Sequence, residues 1–406
     1  MLLSDLHLGD GGPGEAFDRD AELTAFLEQL AADGKVTDVV LLGDVFDLVE
    51  GEIAGADGRS RADATARAVA RLDEVTAAHP QVLAALTGLL RVGKNLTVVR
   101  GNHDVELVRP QVQEQLSRIL GAGGGPAAGR LVFTPWLLHL PGILLAEHGH
   151  QHHDINRFDR QLWPFRTEPT TGPGPGPGAG PAAGPVQEPF GAELSRLHHT
   201  ASGPRLSAKI AGSVLRHGLR LQGPRRRRRC AEYRRSMLPE LVSGLGLSLA
   251  TAQRLDAGSE RSAVQILARI GRQIARQRTG ERRPADGYLP TAAAAVLRTL
   301  GPAAPPYLVY GHSHAADAIT LAPLGRGVDR SDGDSNGQPN GSPTTYLNTG
   351  TWCRRGPGAG DTTLTPAAAT WVEISDGPGH PARVLCWTTG GPQLLAEVTD
   401  GKVVRS

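Results

Sequence analysis

VTDVVLLGDVFD, residues 36–47, runs from a block of branched aliphatic side chains straight into a glycine and two carboxylates. The block at 36–42 has the length and composition of a strand buried on both faces. Gly43 lets the chain turn, so Asp44 and Asp47 are delivered just past the strand's carboxyl end. The same pattern recurs along the chain. LTVVR (96–100) leads into GNHD (101–104), ILLA (143–146) into EHGH (147–150), and YLVY (307–310) into GHSH (311–314). SDLH (4–7) heads the series behind only three residues. A typical strand has about 5 or 6 residues, so the first strand is expected to be short or cut.

Helical patterns separate these units. Residues 21–32 carry Leu23, Phe26, Leu27 and Leu30 at helical spacing with charges elsewhere. Residues 62–78 and 112–120 read the same way. Strand, motif, helix, strand is the alternation of an α/β fold. In such folds ligands bind outside the carboxyl ends of the strands, where all five motifs would lie.

The motif residues have one chemistry in common. Asp5 and His7 are two apart at a strand end, which predicts that their side chains point the same way. Asp44 has two carboxylate oxygens and could bridge two metals. Asn102 offers a neutral amide oxygen, and His148, His312 and His314 offer imidazoles. Two divalent ions bring four positive charges, of which Asp5 and Asp44 neutralise two. The centre stays net positive, suited to a phosphate group and a hydroxide. Four imidazoles argue against magnesium and calcium, which prefer oxygen. Manganese, iron or zinc fit the mixed set, with manganese the expected ion.

Taken in order, these motifs resemble the calcineurin-like metallophosphoesterases. That family's pattern is Asp-x-His, Gly-Asp-x-x-Asp, Gly-Asn-His-Asp/Glu, a lone His and Gly-His-x-His, and every element is matched here. The resemblance covers residues 2–150 and about 305–390. It implies an α/β sandwich of two mixed β-sheets flanked by helices, here with a helical, basic insertion. By the same resemblance one metal takes Asp5, His7, Asp44 and His314, and the other takes Asp44, Asn102, His148 and His312. His103 would protonate the leaving oxygen without binding metal, and Asp47 would orient it. A hydroxide held between the two ions would attack phosphorus in line. The implied activity is metal-dependent hydrolysis of a phosphate mono- or diester.

Protein serine/threonine phosphatases carry Arg-Gly after the second motif and Glu in the third. Here Leu48 and Val49 follow Asp47, and the third motif ends in Asp104. HGHQHHD (148–154) and YLNTGTW (346–352) resemble the bacterial branch near UDP-diacylglucosamine hydrolases. Those have Arg after the Asn of the third motif, where this chain has His103. Within 148–154 only His148 is expected to bind metal; His150, His152 and His153 are expected to be solvated or outer partners.

Two look-alikes are set aside. Asp332, Asp334, Asn336 and Gly337 imitate a calcium loop, but its twelfth position is Pro343 and not Glu. The glycine run at 121–129 lacks the Lys-Ser/Thr of a phosphate-binding loop. No motif surrounds a Ser or Cys nucleophile.

The 406 residues suffice for one large domain with an insertion or for two domains. The expected division is 1–155 and 301–406 as the metallophosphoesterase domain, with 156–300 inserted. Three scattered cysteines, Cys230, Cys353 and Cys386, are no disulfide framework. No apolar run approaches a membrane span and no signal peptide precedes the first motif. The cytoplasm is therefore the expected compartment.

The middle of the chain differs in kind. Residues 170–185 are Pro/Gly-rich and read as a linker. Helical patterns follow around 206–221, 231–243 and 262–277. Residues 151–300 hold 24 Lys and Arg against 11 Asp and Glu, a net charge of +13, while the remainder holds 19 against 30, a net charge of −11. The near-neutral total hides this separation. Residues 225–229 are five consecutive arginines. Val264, Ile266, Leu267, Ile270 and Ile274 form one helical face flanked by Arg269, Arg272 and Arg276. The expected partners are thus a phosphate-ester substrate and, through the insertion, an anionic lipid surface or nucleic acid. A solvated basic surface is the plain alternative. A nuclease of the same fold and a non-catalytic metal-binding scaffold are the rival functions.

Overall fold

The computed structural model describes residues 1–12, 15–48, 61–153, 155–165, 186–187, 213, 228, 230–242, 245–258, 288–321, 343–353, 369–376 and 379–406. Two mixed β-sheets pack face to face. The larger has the order β13-β12-β11-β10-β1-β2-β3-β4. Strands β1 (Leu2–Leu3), β2 (Asp38–Leu42), β3 (Asn95–Val99) and β4 (Leu131–Thr134) run parallel. The strands β10 (Thr370–Ile374), β11 (Ala382–Thr388), β12 (Gly391–Thr399) and β13 (Lys402–Arg405) extend this sheet as an antiparallel meander. The smaller sheet has the order β5-β6-β7-β9-β8. Its core strands β6 (Leu144–Glu147), β7 (Tyr307–Tyr310) and β9 (Thr345–Asn348) are parallel. The edges β5 (Leu137–Leu140) and β8 (Asp317–Thr320) are antiparallel to them.

The two-residue period of a strand sorts each side chain to one of two cores. In β2, Val39 and Leu41 join the core under the helices, and Val40 and Leu42 join the core between the sheets. In β7, Leu308 and Tyr310 face outward to helices, and Tyr307 and Val309 face the other sheet. This double burial is why these strands read as unbroken apolar runs.

Helices close both outer faces. The outer core of the larger sheet takes side chains from α1 (Asp20–Ala32), α2 (Arg61–Ala78), α3 (Pro80–Arg91) and α4 (Pro110–Ile119). That of the smaller sheet takes them from α5 (Leu238–Val242), α6 (Leu249–Gly258) and α7 (Tyr288–Leu300). The last three lie within the expected insertion, so part of that segment is a structural layer of the sandwich.

The expected helices at 21–32, 62–78 and 112–120 form, each within two residues of the predicted ends. The glycine run at 121–129 connects α4 to β4 through a single short turn of 3-10 helix. The expected helix at 231–243 is helical from 230 and passes through a π-helical turn over Tyr233–Met237 before α5. The expected helix at 262–277, the linker at 170–185, the calcium-like run at 332–337 and, apart from residue 213, the expected helix at 206–221 lie outside the described residues. No helix among the described residues is long and apolar enough to cross a membrane. Cys230, Cys353 and Cys386 are buried free thiols.

Candidate metal centre

Strands β1, β2, β3, β6 and β7 all end at one edge of the sandwich, and the five motifs follow those ends. Asp5, His7 and His314 offer ligand atoms within 4.8 Å of one another, and so do Asp44, His148 and His312. Asn102 is buried, next in sequence to His103, whose amide donates to Asp44 Oδ1. The structure thus brings together the nominated carboxylates and imidazoles, from segments as far apart as Asp5 and His314.

The local reason is partly not the expected one. Asp5 and His7 lie beyond β1, so strand alternation does not aim them. Both are in the left-handed backbone region, with φ of 54° and 50°. Main-chain bonds hold them there: Asp5 N donates to Gly43 O at 3.1 Å and His7 N to Asp44 O at 3.0 Å. Asp44 (51°), His312 (64°) and His314 (56°) share this conformation. Among the described residues eight non-glycine residues have positive φ, and five of them are candidate ligands. At roughly 1–2 kcal/mol each, five such residues cost a sum comparable to a domain's whole net stability, about 5–15 kcal/mol. Such a cluster persists only where surrounding bonds, or a bound ion, offset it.

Those bonds are present. Asp44 Oδ1 accepts the His103 amide at 2.8 Å, and Asp5 Oδ2 accepts the His312 amide at 2.9 Å and the Ser4 hydroxyl. Asp5 O is gripped from the 346–352 run, by Thr351 Oγ1 at 2.9 Å and by Trp352 N at 3.2 Å. Trp352 is fully buried against Phe26, ring centroids 5.2 Å apart. Asp104 accepts Gly101 N at 2.5 Å and Val45 N at 2.8 Å, tying the second motif to the third. Burial, then the neighbouring Asp44, pushes the Asp104 carboxyl up to about 6. Two glycines are required by close approach. A Cβ on Gly101 would fall onto Asp44 Oδ1 and N, and one on Gly311 onto Ser4 Oγ and Asp5 Oδ2.

The ring nitrogens have defined roles. His148 Nδ1 donates to Leu42 O at 2.9 Å, which turns Nε2 into the site, where burial is outweighed by Asp44 and Asp5 and the imidazole is pushed up to about 9. That Nε2 faces Asp44 Oδ2 at 3.0 Å and His312 Nδ1 at 3.2 Å. His7 Nδ1 donates to Asp47 Oδ1 at 2.9 Å, and its Nε2 faces His314 Nε2 at 3.2 Å. His314 Nε2 is 3.1 Å from Asp5 Oδ1. Burial disfavours the charge on Asp44, but His148, His103 and His7 outweigh burial and hold its carboxyl well below the usual range. Burial first, then His148 and His153, keeps His312 unprotonated.

The donor set fits divalent cations. Carboxylate oxygens and imidazole nitrogens converge at about 3 Å, a set held together by positive charge, either protons on His7 and His148 or cations that displace them. Asn102 Oδ1 is buried and accepts no hydrogen bond among the described residues. Outer partners fix the tautomers of His7 and His148, as they do for metal-binding imidazoles generally.

Of the two places expected for His150, solvent or an outer position beside the ligands, it takes the outer one, its ring centroid 5.5 Å from that of His148. It is buried, with Nε2 3.2 Å from Gln161 Oε1. His152 Nε2 meets the buried Glu147 at 2.7 Å, and His153 Nδ1 stands 3.0 Å from His312 Nε2. Ser4, Thr351, Glu147 and Asn156 also support the site. The HGHQHHD and YLNTGTW runs marked their neighbourhood but not their partners.

Residues 1–172 match the sequence model of the family described as calcineurin-like phosphoesterase. A comparison with curated proteins finds no match. The family match and the His/Asp groups together support the superfamily and, in general terms, a metal-dependent phosphoesterase. His312 and His314 lie beyond the matched residues and join the site only through β7.

Proposed function

We propose that this protein hydrolyses a phosphate mono- or diester at a dinuclear centre. Asp5, His7, Asp44 and His314 would hold one ion, and Asp44, Asn102, His148 and His312 the other, with Asp44 bridging. Manganese is the first ion to test, with iron and zinc behind it. When bound, such ions polarise phosphate oxygens and activate water. The observation that carries the reading is the close approach of His148 Nε2 to Asp44 Oδ2 at 3.0 Å and to His312 Nδ1 at 3.2 Å, with Asn102 Oδ1 buried and without a hydrogen-bond partner among the described residues.

The chain's own groups would do the rest. His103 Nδ1 donates to Asp47 Oδ1, which turns Nε2 away from Asp47. The imidazole is partly exposed at the mouth of the site, its side chain 44 % accessible. Burial lowers its pKa, but Asp44 and Asp47 outweigh burial and raise it above the ordinary value. A protonated His103 would hand its Nε2 proton to the leaving oxygen.

The manganese-loaded full chain should hydrolyse bis-nitrophenyl phosphate or nitrophenyl phosphate and lose that activity to a chelator. No turnover of either ester, with both ions measured as bound, would instead support the non-catalytic scaffold. The finer reading places the natural substrate near the bacterial UDP-diacylglucosamine hydrolases, on the likeness of residues 148–154 and 346–352. A second reading, a nuclease, draws on the net charge of +13 over residues 151–300. Screening nucleotides, cyclic nucleotides, UDP-sugar lipids and DNA separates the two. A cytoplasmic location belongs to this same proposal.

A further inference from the structure

Beyond the nominated ligands, one side chain makes a contact that the phosphoesterase reading does not use. His312 presents Nδ1 to His148 Nε2 at 3.2 Å, inside the group formed with Asp44. Its other nitrogen, Nε2, points away and meets His153 Nδ1 at 3.0 Å. A neutral imidazole carries one N–H. With the Nδ1 lone pair turned to the ion, the proton sits on Nε2 and His153 Nδ1 accepts it.

His153 is itself fixed from three sides. Its carbonyl accepts the amides of Asn156 and Arg157, each at 3.1 Å, so a tight turn sets its backbone. Asn156 Nδ2 approaches the same ring nitrogens, 3.1 Å from His153 Nδ1 and 3.3 Å from His312 Nε2. The His153 ring stacks on Tyr288, centroids 5.1 Å apart and planes at 24°. Tyr288 is the first residue of α7, whose Leu289 and Ala293 are buried in the outer core of the smaller sheet. The stack is therefore anchored to a packed layer.

We propose that His153 is a positioning residue that sets the tautomer and ring orientation of His312, with Tyr288 as its platform. This rests on the dinuclear reading above. Fixing an imidazole through its far nitrogen favours the ligating lone pair before the ion arrives. The effect should fall on the ion held by His148 and His312 and leave the one held by Asp5, His7 and His314 unchanged.

The test is a manganese titration of the chelator-stripped full chain, with free manganese read by electron paramagnetic resonance. Wild type should bind two ions. His153→Phe keeps a ring on Tyr288 but has no acceptor, and should weaken the second ion about 10- to 100-fold, the usual worth of an outer partner. His153→Asn places an amide oxygen close to where Nδ1 stood and should recover most of that loss. Tyr288→Ala should weaken the same ion by less. If His153→Phe binds both ions as wild type does, or if Asn and Phe at 153 are equally weak, the positioning role is overturned. Fewer than two ions on wild type would overturn the dinuclear reading itself, before any variant is compared.

Discussion

Asp47 Oδ1 lies 2.9 Å from His7 Nδ1 and 2.9 Å from His103 Nδ1. One carboxylate oxygen therefore orients a candidate metal ligand and the candidate acid together. The two rings meet edge to face at 4.6 Å. Asp47→Ala should harm both roles. The ion at His7 should bind about 10- to 100-fold more weakly, and turnover at saturating metal should still fall. Turnover restored fully by excess manganese would mean that Asp47 serves His7 alone.

His103→Ala separates binding from chemistry. Both ions should remain, because among the described residues His103 contributes only its amide to Asp44, and Ala keeps an amide. Turnover should drop by roughly 10²- to 10⁴-fold, the range of general acid catalysis. The loss should shrink for a nitrophenol leaving group, which needs no proton. Equal losses for good and poor leaving groups would remove His103 from the acid role.

Asp44→Asn should cost more metal than any other single ligand change. Asp44 Oδ2 faces His148 Nε2 at 3.0 Å and His7 Nε2 at 3.8 Å, between the two groups. The substitution removes one negative charge from the middle of a site meant to hold four positive ones. Elemental analysis should find little metal. Two ions per chain in this variant would deny the bridging position.

The basic segment is tested through its charge. Arg269, Arg272 and Arg276 to Gln should weaken co-sedimentation with anionic vesicles, and raised salt should weaken that of the unaltered chain. Binding to DNA or RNA would show the same salt sensitivity without needing the apolar face at 264–274. A chain that ignores vesicles and nucleic acid at low salt has only a basic surface there.

Much of the sandwich was legible because its central strands are buried on both faces. An unbroken run such as 307–310 cannot be solvated, and it reads as a strand without further context. Strands β4, β5, β8, β12 and β13 escaped notice for the opposite reason. They are edge or meander strands that leave residues such as Val404 exposed, so neither a full apolar run nor a clean alternation marks them. Helix α3 was overlooked although Val82, Leu83, Leu86, Leu89 and Leu90 carry its pattern. It follows α2 with only His79 between, and the one boundary signal was Pro80 at its first helical position.

By itself the sequence determined the set of candidate donors and the strand ends that carry them, because short motifs pair each donor with the glycine or turn that exposes it. It could not determine which nitrogen of each histidine is free. That depends on Leu42 O, Asp47 Oδ1 and His153 Nδ1, which reach His148, His7 and His312 across 106, 40 and 159 residues. Nor could it reveal that Asp5, His7, Asp44, His312 and His314 all take left-handed backbone, because no local signal asks a non-glycine residue to do so. Those features arise only when the loop ends of two sheets bond to one another, and tertiary structure alone decides them.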